Sequence, residues 1–360
     1  MSASSHGTGL AGLSGLLTGL SVIDLTRNLP GPYASRMLAD LGAQVIKVEP
    51  PEGDPARSLP PLFDALNHSK ESRRIDFKTP EGLTQLSGWL RDADVMLDSF
   101  RPGVLAALAL DAQVLHQINP RLVMVSITGC GQTGPWAQRA GHDLNFMAMS
   151  GVLDQMRSPT SGELALSNVQ WGDMAAGSSM ACIAVLAAVW SARSTGQGCH
   201  IDVSMTHGLH AHLVMPKATG AMLAPMLGRL PGAGQDMLNG ALPCYNLYAT
   251  LDGRHLAVGA LEQKFWKTAC EAFERPQWAD QHWQRGLMPN SPGSDTLRAE
   301  VAALVASQSL RWWIDRFDQT DACVTPVLTL AEAQQHDLFN ASSPVQAWRE
   351  VAGRNNVATS

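Results

Sequence analysis

An imidazole, a carboxylate and a carboxamide lie close together in residues 141–146 (GHDLNF), between a glycine-rich turn and an apolar helical pattern. A histidine such as His142 can remove and return protons at neutral pH, because imidazoles titrate in that range. Asp143 and Asn145 are also residue types that begin helices, so helix capping alone is an alternative explanation of the same pattern. The residues by themselves leave both interpretations open.

A second candidate, Asp173, lies in residues 171–178 (WGDMAAGS) and precedes a long apolar stretch. A carboxylate in this position is a common N-cap of a helix. The N-terminus of a helix is also a place where an acid or base with a shifted pKa is found. Asp173 is therefore a candidate acid or base, with capping as the alternative.

Other motifs are less informative. Residues 129–134 (GCGQTG) have the glycine spacing of a dinucleotide-binding loop, but Pro135 and a polar stretch follow where a helix should begin. The histidines at 207, 210 and 212 have no acidic residue or cysteine beside them, and the six cysteines form no CxxC pair. We therefore predict neither a nicotinamide cofactor nor a metal.

The elements that must hold these residues alternate between strands and helices. Predicted strands lie at 21–25, 43–48, 93–97, 121–127 and 199–204, and predicted helices at 34–41, 81–90, 105–116 and 178–192. This alternation predicts an α/β fold whose parallel sheet is covered on both faces.

The residue composition of the chain changes after about residue 215, and this change predicts a division into domains. We expect a flexible extension at 1–18, a large α/β domain at 19–215, a small domain at 216–322 and a return to the large domain at 323–360. The leader has no Lys or Arg before Arg27, unlike a signal peptide, so we expect a cytoplasmic protein.

The bulk composition excludes some partners. The chain has 360 residues, of which 45% are hydrophobic and 16% charged, and its formal net charge is −6. No basic stripe is present for a nucleic acid, and the longest apolar stretch, residues 180–190, is shorter than a membrane span. We therefore expect a globular protein without a nucleic-acid or membrane partner.

Several motifs together carry a resemblance to a known family. They lie at 19–53, 99–103 (SFRPG), 119–123 (NPRLV), 126–135 (SITGCGQTGP) and 141–146, with further likeness at 172–173, 198–205, 245–265 and 321–327. In this order the chain resembles the family III CoA-transferase (CaiB/BaiF) and α-methylacyl-CoA racemase superfamily. The resemblance implies a large Rossmann-like domain with a parallel sheet, a smaller α+β domain and an interlocked homodimer.

The resemblance also implies one of two chemistries on an acyl-CoA thioester, without a cofactor. In racemases of the family, the residues matching His142 and Asp173 exchange the α-proton on opposite faces, and the residue matching Glu262 supports the histidine. In transferases, the residue matching Asp173 is a nucleophile that carries acyl and CoA adducts. The alternative for Glu262 is an exposed residue at the start of a helix.

Three segments resemble the racemases more closely: residues 141–143, 256–265 and 321–327. The pair Asp173 and Met174 resembles the transferases. We therefore expect a 2-methylacyl-CoA racemase of lipid metabolism, with a CoA-transferase as the alternative. A third possibility, a CoA-binding protein without activity, is disfavoured because His142, Asp173 and Glu262 are all present.

The resemblance places the substrate and its CoA moiety near a further set of residues. The set comprises Pro50, the residues Ile75, Asp76, Phe77 and Lys78 of an expected strand, Arg101, Gly141, Asp143, Leu144, Asn145 and Phe146. Lys78 and Arg101 suit the CoA phosphates, which require cationic hydrogen-bond donors, although either residue could be a solvated surface charge. No residue indicates the identity of the acyl group.

Overall fold

The computed structural model describes residues 13, 15–158 and 161–340, which form two compact units. Within the described residues, the first unit comprises the chain up to Val152, the segment Ser167–His212 and Asn340. The second unit comprises Leu153–Leu166 and Leu213–Phe339. The predicted tail at 341–360 lies outside the described residues, as do residues 1–12 of the predicted extension.

A six-stranded parallel sheet forms the centre of the first unit, in the order β3-β2-β1-β4-β5-β6. Its strands are β1 (Ser21–Asp24), β2 (Gln44–Glu49), β3 (Glu71–Arg74), β4 (Val95–Asp98), β5 (Val123–Thr128) and β6 (His200–Ser204). The central strands β4 and β5 are buried throughout, as expected for parallel strands that are covered on both faces. The predicted α/β fold is confirmed.

Helices cover both faces of this sheet. They are α1 (Pro30–Asp40), α2 (Pro60–Asn67), α3 (Pro80–Asp92), α4 (Val104–Ala107), α5 (Ala112–Ile118), α6 (Asp143–Ser150), α7 (Met180–Thr195) and α8 (Met205–Ala211). Leu86 and Leu90 of α3 pack with Leu115 of α5 against Met96 and Met124 of the sheet. Burial of these apolar side chains is the main source of stability on this face.

An antiparallel three-stranded sheet, in the order β7-β8-β9, belongs to the second unit. Its strands are β7 (Tyr245–Ala249), β8 (His255–Gly259) and β9 (Val324–Pro326), and its helices are α9 (Val214–Leu227), α10 (Gln263–Ala272), α11 (Pro292–Val305), α12 (Leu310–Phe317), α13 (Leu330–Gln335) and α14 (Asp337–Asn340). Trp266, Phe273 and Trp313 are nearly inaccessible and form the aromatic centre of its core.

The observed division differs from the expected domain boundaries at the end of the small domain. We expected the chain to return to the large domain at residue 323. Instead, Leu256 to Val258 of β8 pair with Val324 to Pro326, so β9 completes the sheet of the second unit. A strand of only three residues that ends in a proline carries too little pattern to be assigned to a sheet in advance.

Two local expectations are also corrected. Residues 75–78 were expected to form a strand, but β3 ends at Arg74, and Ile75 is instead buried against α3. The expected extension does not stay free up to residue 18, because the backbone N–H groups of Gly15 and Leu17 donate hydrogen bonds to the carbonyl of Leu41.

The longest helical segment runs without interruption over Gly172–Thr195. It begins as a π-helix, Gly172–Ser179, and continues as α7. By length and composition alone it could cross a membrane, a test that core helices of soluble proteins also pass. In this fold its buried residues Ala181, Val185, Ala188 and Ala192 recur at helical spacing.

Candidate active site

A cavity of about 490 Å³ opens at the carboxyl ends of β1, β4 and β5. The strand order reverses between β1 and β4, and crevices at such switch points are where open α/β sheets bind ligands. Its walls come from the loops after these strands, from the start of α6 and from the π-helix. Its volume is in the range of small-molecule sites.

His142 lines this cavity as the residue immediately before α6. Its backbone N–H donates to Oδ1 of Asn145 at 3.0 Å, which fixes the entry of the chain into the helix. The imidazole is exposed. His142 and Asn145 thus form a capping box at the start of α6, in which the His142 side chain faces the backbone N–H of Asn145.

Asp173 also lines the cavity, in the first turn of the π-helix. π-Helical turns are rare and are often found at functional sites. Ser178 holds this turn by donating to the carbonyl oxygens of Asp173 at 2.9 Å and of Pro30 at 2.6 Å. Burial and then the negative charge of Asp143 raise the pKa of Asp173 to about 7.

Phe146 shapes the wall that carries His142. A Cβ atom added at Gly129 would lie 2.5 Å from the Phe146 ring, and one added at Gly141 would lie 2.7 Å from it. Glycine is therefore required at both positions for the loop to close over the ring.

We expect Gly141→Ala to destabilise the fold by about 1–3 kcal/mol, the usual cost of overpacking, and to lower activity by displacing His142. Urea unfolding and turnover measurements test this. Gly88→Ala is the matched control, because Gly88 lies in α3 with no atom within 4 Å of its added Cβ. Equal effects of the two substitutions would contradict the role given to Gly141.

Three guanidinium groups line the same cavity: Arg27, Arg101 and Arg139. Arg27 lies over the ring of Phe100 at 5.6 Å, and Arg139 over that of Trp136 at 5.1 Å. Within the part of the chain that the structure describes, none of the three forms an ion pair with a carboxylate. Their donors are therefore open to an anionic ligand.

The structure brings together only some of the expected site residues. The expected residues that line the cavity are Arg101, Gly141, His142, Asn145, Phe146 and Asp173. Those that do not are Pro50, Ile75, Asp76, Phe77, Lys78, Asp143, Leu144 and Glu262.

The expected residues outside the cavity wall lie in different places, and one of them packs behind the wall. Phe77 packs edge-to-face on Phe100 at 6.3 Å, behind the wall. Lys78 is exposed on the loop after β3. Glu262 belongs to the second unit, where it is exposed at the start of α10.

Arg27 and Arg139 were missed in the sequence. Arg139 belongs to no recognisable short motif, Arg27 lies inside the long segment 19–53, and the chain between them contains four more strands of the sheet. The signal that could have identified Arg27 is its position after the first predicted strand, where parallel sheets bind ligands. Arg139 required knowledge of how the loop of residues 129–141 folds back over the cavity.

Comparisons with known proteins match most of the chain. The family model described as CoA-transferase family III matches residues 17–360. Alpha-methylacyl-CoA racemase from Homo sapiens is 34% identical over 329 residues, which are 89% of this chain and 80% of that protein. Acetyl-CoA:oxalate CoA-transferase from Acetobacter aceti is 30% identical over 331 residues, which are 89% of this chain and 82% of that protein.

A solved structure extends the match to the fold. The structure of a CAIB/BAIF family protein from Brucella suis has a TM-score of 0.74 at 30% identity, and the match covers 90% of this chain and 87% of that chain. Relatives of both chemistries are thus at similar distances. The chain belongs to CoA-transferase family III, an enzyme superfamily of racemases and CoA-transferases.

Proposed function

We propose that this protein is a 2-methylacyl-CoA racemase. The observation that carries the proposal is that His142 and Asp173 line one cavity and that the pKa of Asp173 is raised to about 7. An imidazole and such a carboxyl group can each serve as acid or base near neutral pH. A reaction that removes a proton and returns it on the opposite face needs two groups of this kind.

The proposed reaction has two proton transfers. One of the two side chains, in its basic form, removes the α-proton of the thioester, and the electron pair of the C–H bond becomes an enolate. The other side chain, in its acidic form, then donates a proton to the opposite face of the α-carbon. The number of protons on the enzyme is unchanged. The side chain that removed the α-proton ends protonated, and the side chain that donated a proton ends deprotonated. No cofactor takes part.

The first turn of α6 begins at the part of the cavity wall that His142 and Asn145 form, so the proposal places this helix N-terminus beside the enolate oxygen. Among the described residues, no acceptor is found for the backbone N–H groups of Asp143 and Leu144. Such free donors at a helix N-terminus favour negative charge. Groups that stabilise charge as it develops are a major source of rate enhancement, so we include them in the proposal.

The open arginines support an acyl-CoA as the substrate, because its phosphates require cationic partners. We expect Arg101→Ala to weaken CoA binding by about 1.5–3 kcal/mol, or about 10- to 150-fold, with the fold retained. Titration calorimetry with free CoA measures the effect.

Arg121→Ala is the matched control for this experiment, because Arg121 is exposed and lies outside the cavity. It should leave the dissociation constant unchanged. If Arg101→Ala also leaves it unchanged, Arg101 does not contact CoA.

A CoA-transferase is the second candidate. It is favoured by relatives such as the Acetobacter aceti enzyme and by the pair Asp173 and Met174. A transferase uses only the ionised form of Asp173, as a nucleophile, whereas a racemase uses both its ionised and its protonated form, and a pKa of about 7 provides both near neutral pH. This difference is why we place the racemase first.

The proposal is tested with one enantiomer of a 2-methylacyl-CoA, incubated with the enzyme and analysed by chiral chromatography. A parallel sample contains a free carboxylate as a CoA acceptor. Formation of the opposite enantiomer without CoA transfer supports the racemase. CoA transfer to the carboxylate, without epimer formation from any 2-methylacyl-CoA tested, supports the transferase.

Glu262 enters the proposal through the family resemblance alone, as the acidic partner of the imidazole.

A further inference from the structure

The side chain of Asp143 connects the two segments that carry His142 and Asp173. Asp143 is the first residue of α6, directly after His142, and its Oδ1 accepts the backbone N–H of Asp173 at 2.9 Å. A Cβ atom added at Gly172 would lie 2.8 Å from the same oxygen, so glycine is needed there for this close approach. Asp143 does not line the cavity.

We infer that Asp143 is a positioning residue, which fixes Asp173 against α6 and sets how readily the carboxyl group of Asp173 gives up its proton. The inference rests on the proposed racemase. It gives Asp143, which was expected among the residues near the substrate and its CoA moiety, a different role.

The positioning part follows from the hydrogen bond. The backbone N–H of Asp173 is in the first turn of the π-helix, where a donor has no partner within its own helix. The carboxylate that accepts this bond starts the helix preceded by His142. A displacement of α6 therefore moves the backbone of Asp173 with it, and the spacing of the two proton-transfer groups is preserved.

The proton-affinity part follows from the charges around Asp173. The elements packed against the π-helix are α1, α6, α7, α8 and β6. Their titratable and charged residues, together with His142 beside α6, are Tyr33, Arg36, Asp40, His142, Asp143, Cys182, Arg193, His200, Asp202, His207 and His210. Among these, the charge of Asp143 is the one that raises the pKa of Asp173, in addition to burial.

The test uses Asp143→Asn, which retains an acceptor oxygen for the N–H of Asp173 and removes the charge. It is made in the His142→Ala protein, where Asp173 is the remaining base of the proposed pair and exchange of the α-proton reports its ionisation. We expect the midpoint of exchange against pH to fall by about one unit. Asp143→Ala, which also removes the hydrogen bond, should lower the maximal exchange rate as well.

Asp111→Asn is the matched control, because Asp111 also begins a helix, α5, and lies outside the cavity. It should leave both the midpoint and the maximal rate unchanged. Circular dichroism and thermal unfolding establish that each variant folds. If Asp143→Asn folds and leaves the midpoint unchanged, the inference is overturned.

A second readout separates this inference from the racemase proposal. Carbon-13 NMR of the labelled aspartate carboxyl groups, with the Asp173 signal assigned by Asp173→Asn, follows the titration of Asp173 without substrate. A lower midpoint in Asp143→Asn supports the inference even if no 2-methylacyl-CoA is racemised. An unchanged midpoint overturns the inference even if the wild type is a racemase.

Discussion

Asp173→Asn and His142→Ala are each expected to abolish racemisation, with losses of about 10²–10⁴-fold, the usual worth of a positioned acid or base. Each variant keeps one of the two groups that line the cavity. The remaining base can still remove the α-proton from the face that it contacts, and solvent can replace that proton. Each variant is therefore expected to exchange the α-proton of one enantiomer only, and the two variants should prefer opposite enantiomers.

Mass spectrometry of each enantiomer in deuterated water measures this exchange. His207→Ala is a suitable control, since His207 is an exposed histidine of the same unit that does not line the active-site cavity. It should retain wild-type racemisation. If both active-site variants prefer the same enantiomer, His142 and Asp173 do not act on opposite faces.

The second large effect is on pH dependence. Burial and the charge of Asp143 raise the pKa of Asp173 to about 7, and Asp173 acts as a base only when it is ionised. In His142→Ala, α-proton exchange should therefore rise with pH, reach half of its maximum near pH 7 and fall about tenfold for each unit below that. An aspartate of ordinary pKa would show constant exchange over the same range.

In the wild type, kcat/KM should be bell-shaped against pH, since one of the two groups must be protonated and the other not. Both enantiomers should give the same profile, because the two active forms of the enzyme carry the same number of protons. Rates measured from pH 5 to 9 in buffers of constant ionic strength test this. Activity of His142→Ala that does not vary with pH would contradict the assignment of Asp173.

Much of the architecture is predictable from the sequence because the parallel strands are short apolar runs between helical patterns. β3 is the exception, since its residues, Glu71 to Arg74, are all exposed and carry no apolar signal. The neighbouring Ile75 and Phe77 have the pattern of a strand, but their burial comes from packing beside α3 and Phe100. An exposed edge strand is thus the kind of element that hydrophobic periodicity misses.

The candidate site was predictable where one short segment carries it and not where distant segments meet. His142 and Asn145 lie in one motif, and the structure places both in the capping box of α6. The sequence offered Asp173 as an N-cap, whereas the structure places it inside a π-helix. That outcome depends on the contact between Gly172 and Asp143, two residues that lie far apart in the chain.

The central claim is that the α-proton is removed and returned without a covalent enzyme intermediate. The most direct measurement incubates the wild-type enzyme with one enantiomer of a 2-methylacyl-CoA in deuterated water and records the masses of substrate and protein. We expect one deuterium in each inverted molecule and an unchanged protein mass after hydroxylamine or borohydride treatment. A trapped adduct on Asp173, without α-deuterium in any 2-methylacyl-CoA tested, would contradict it.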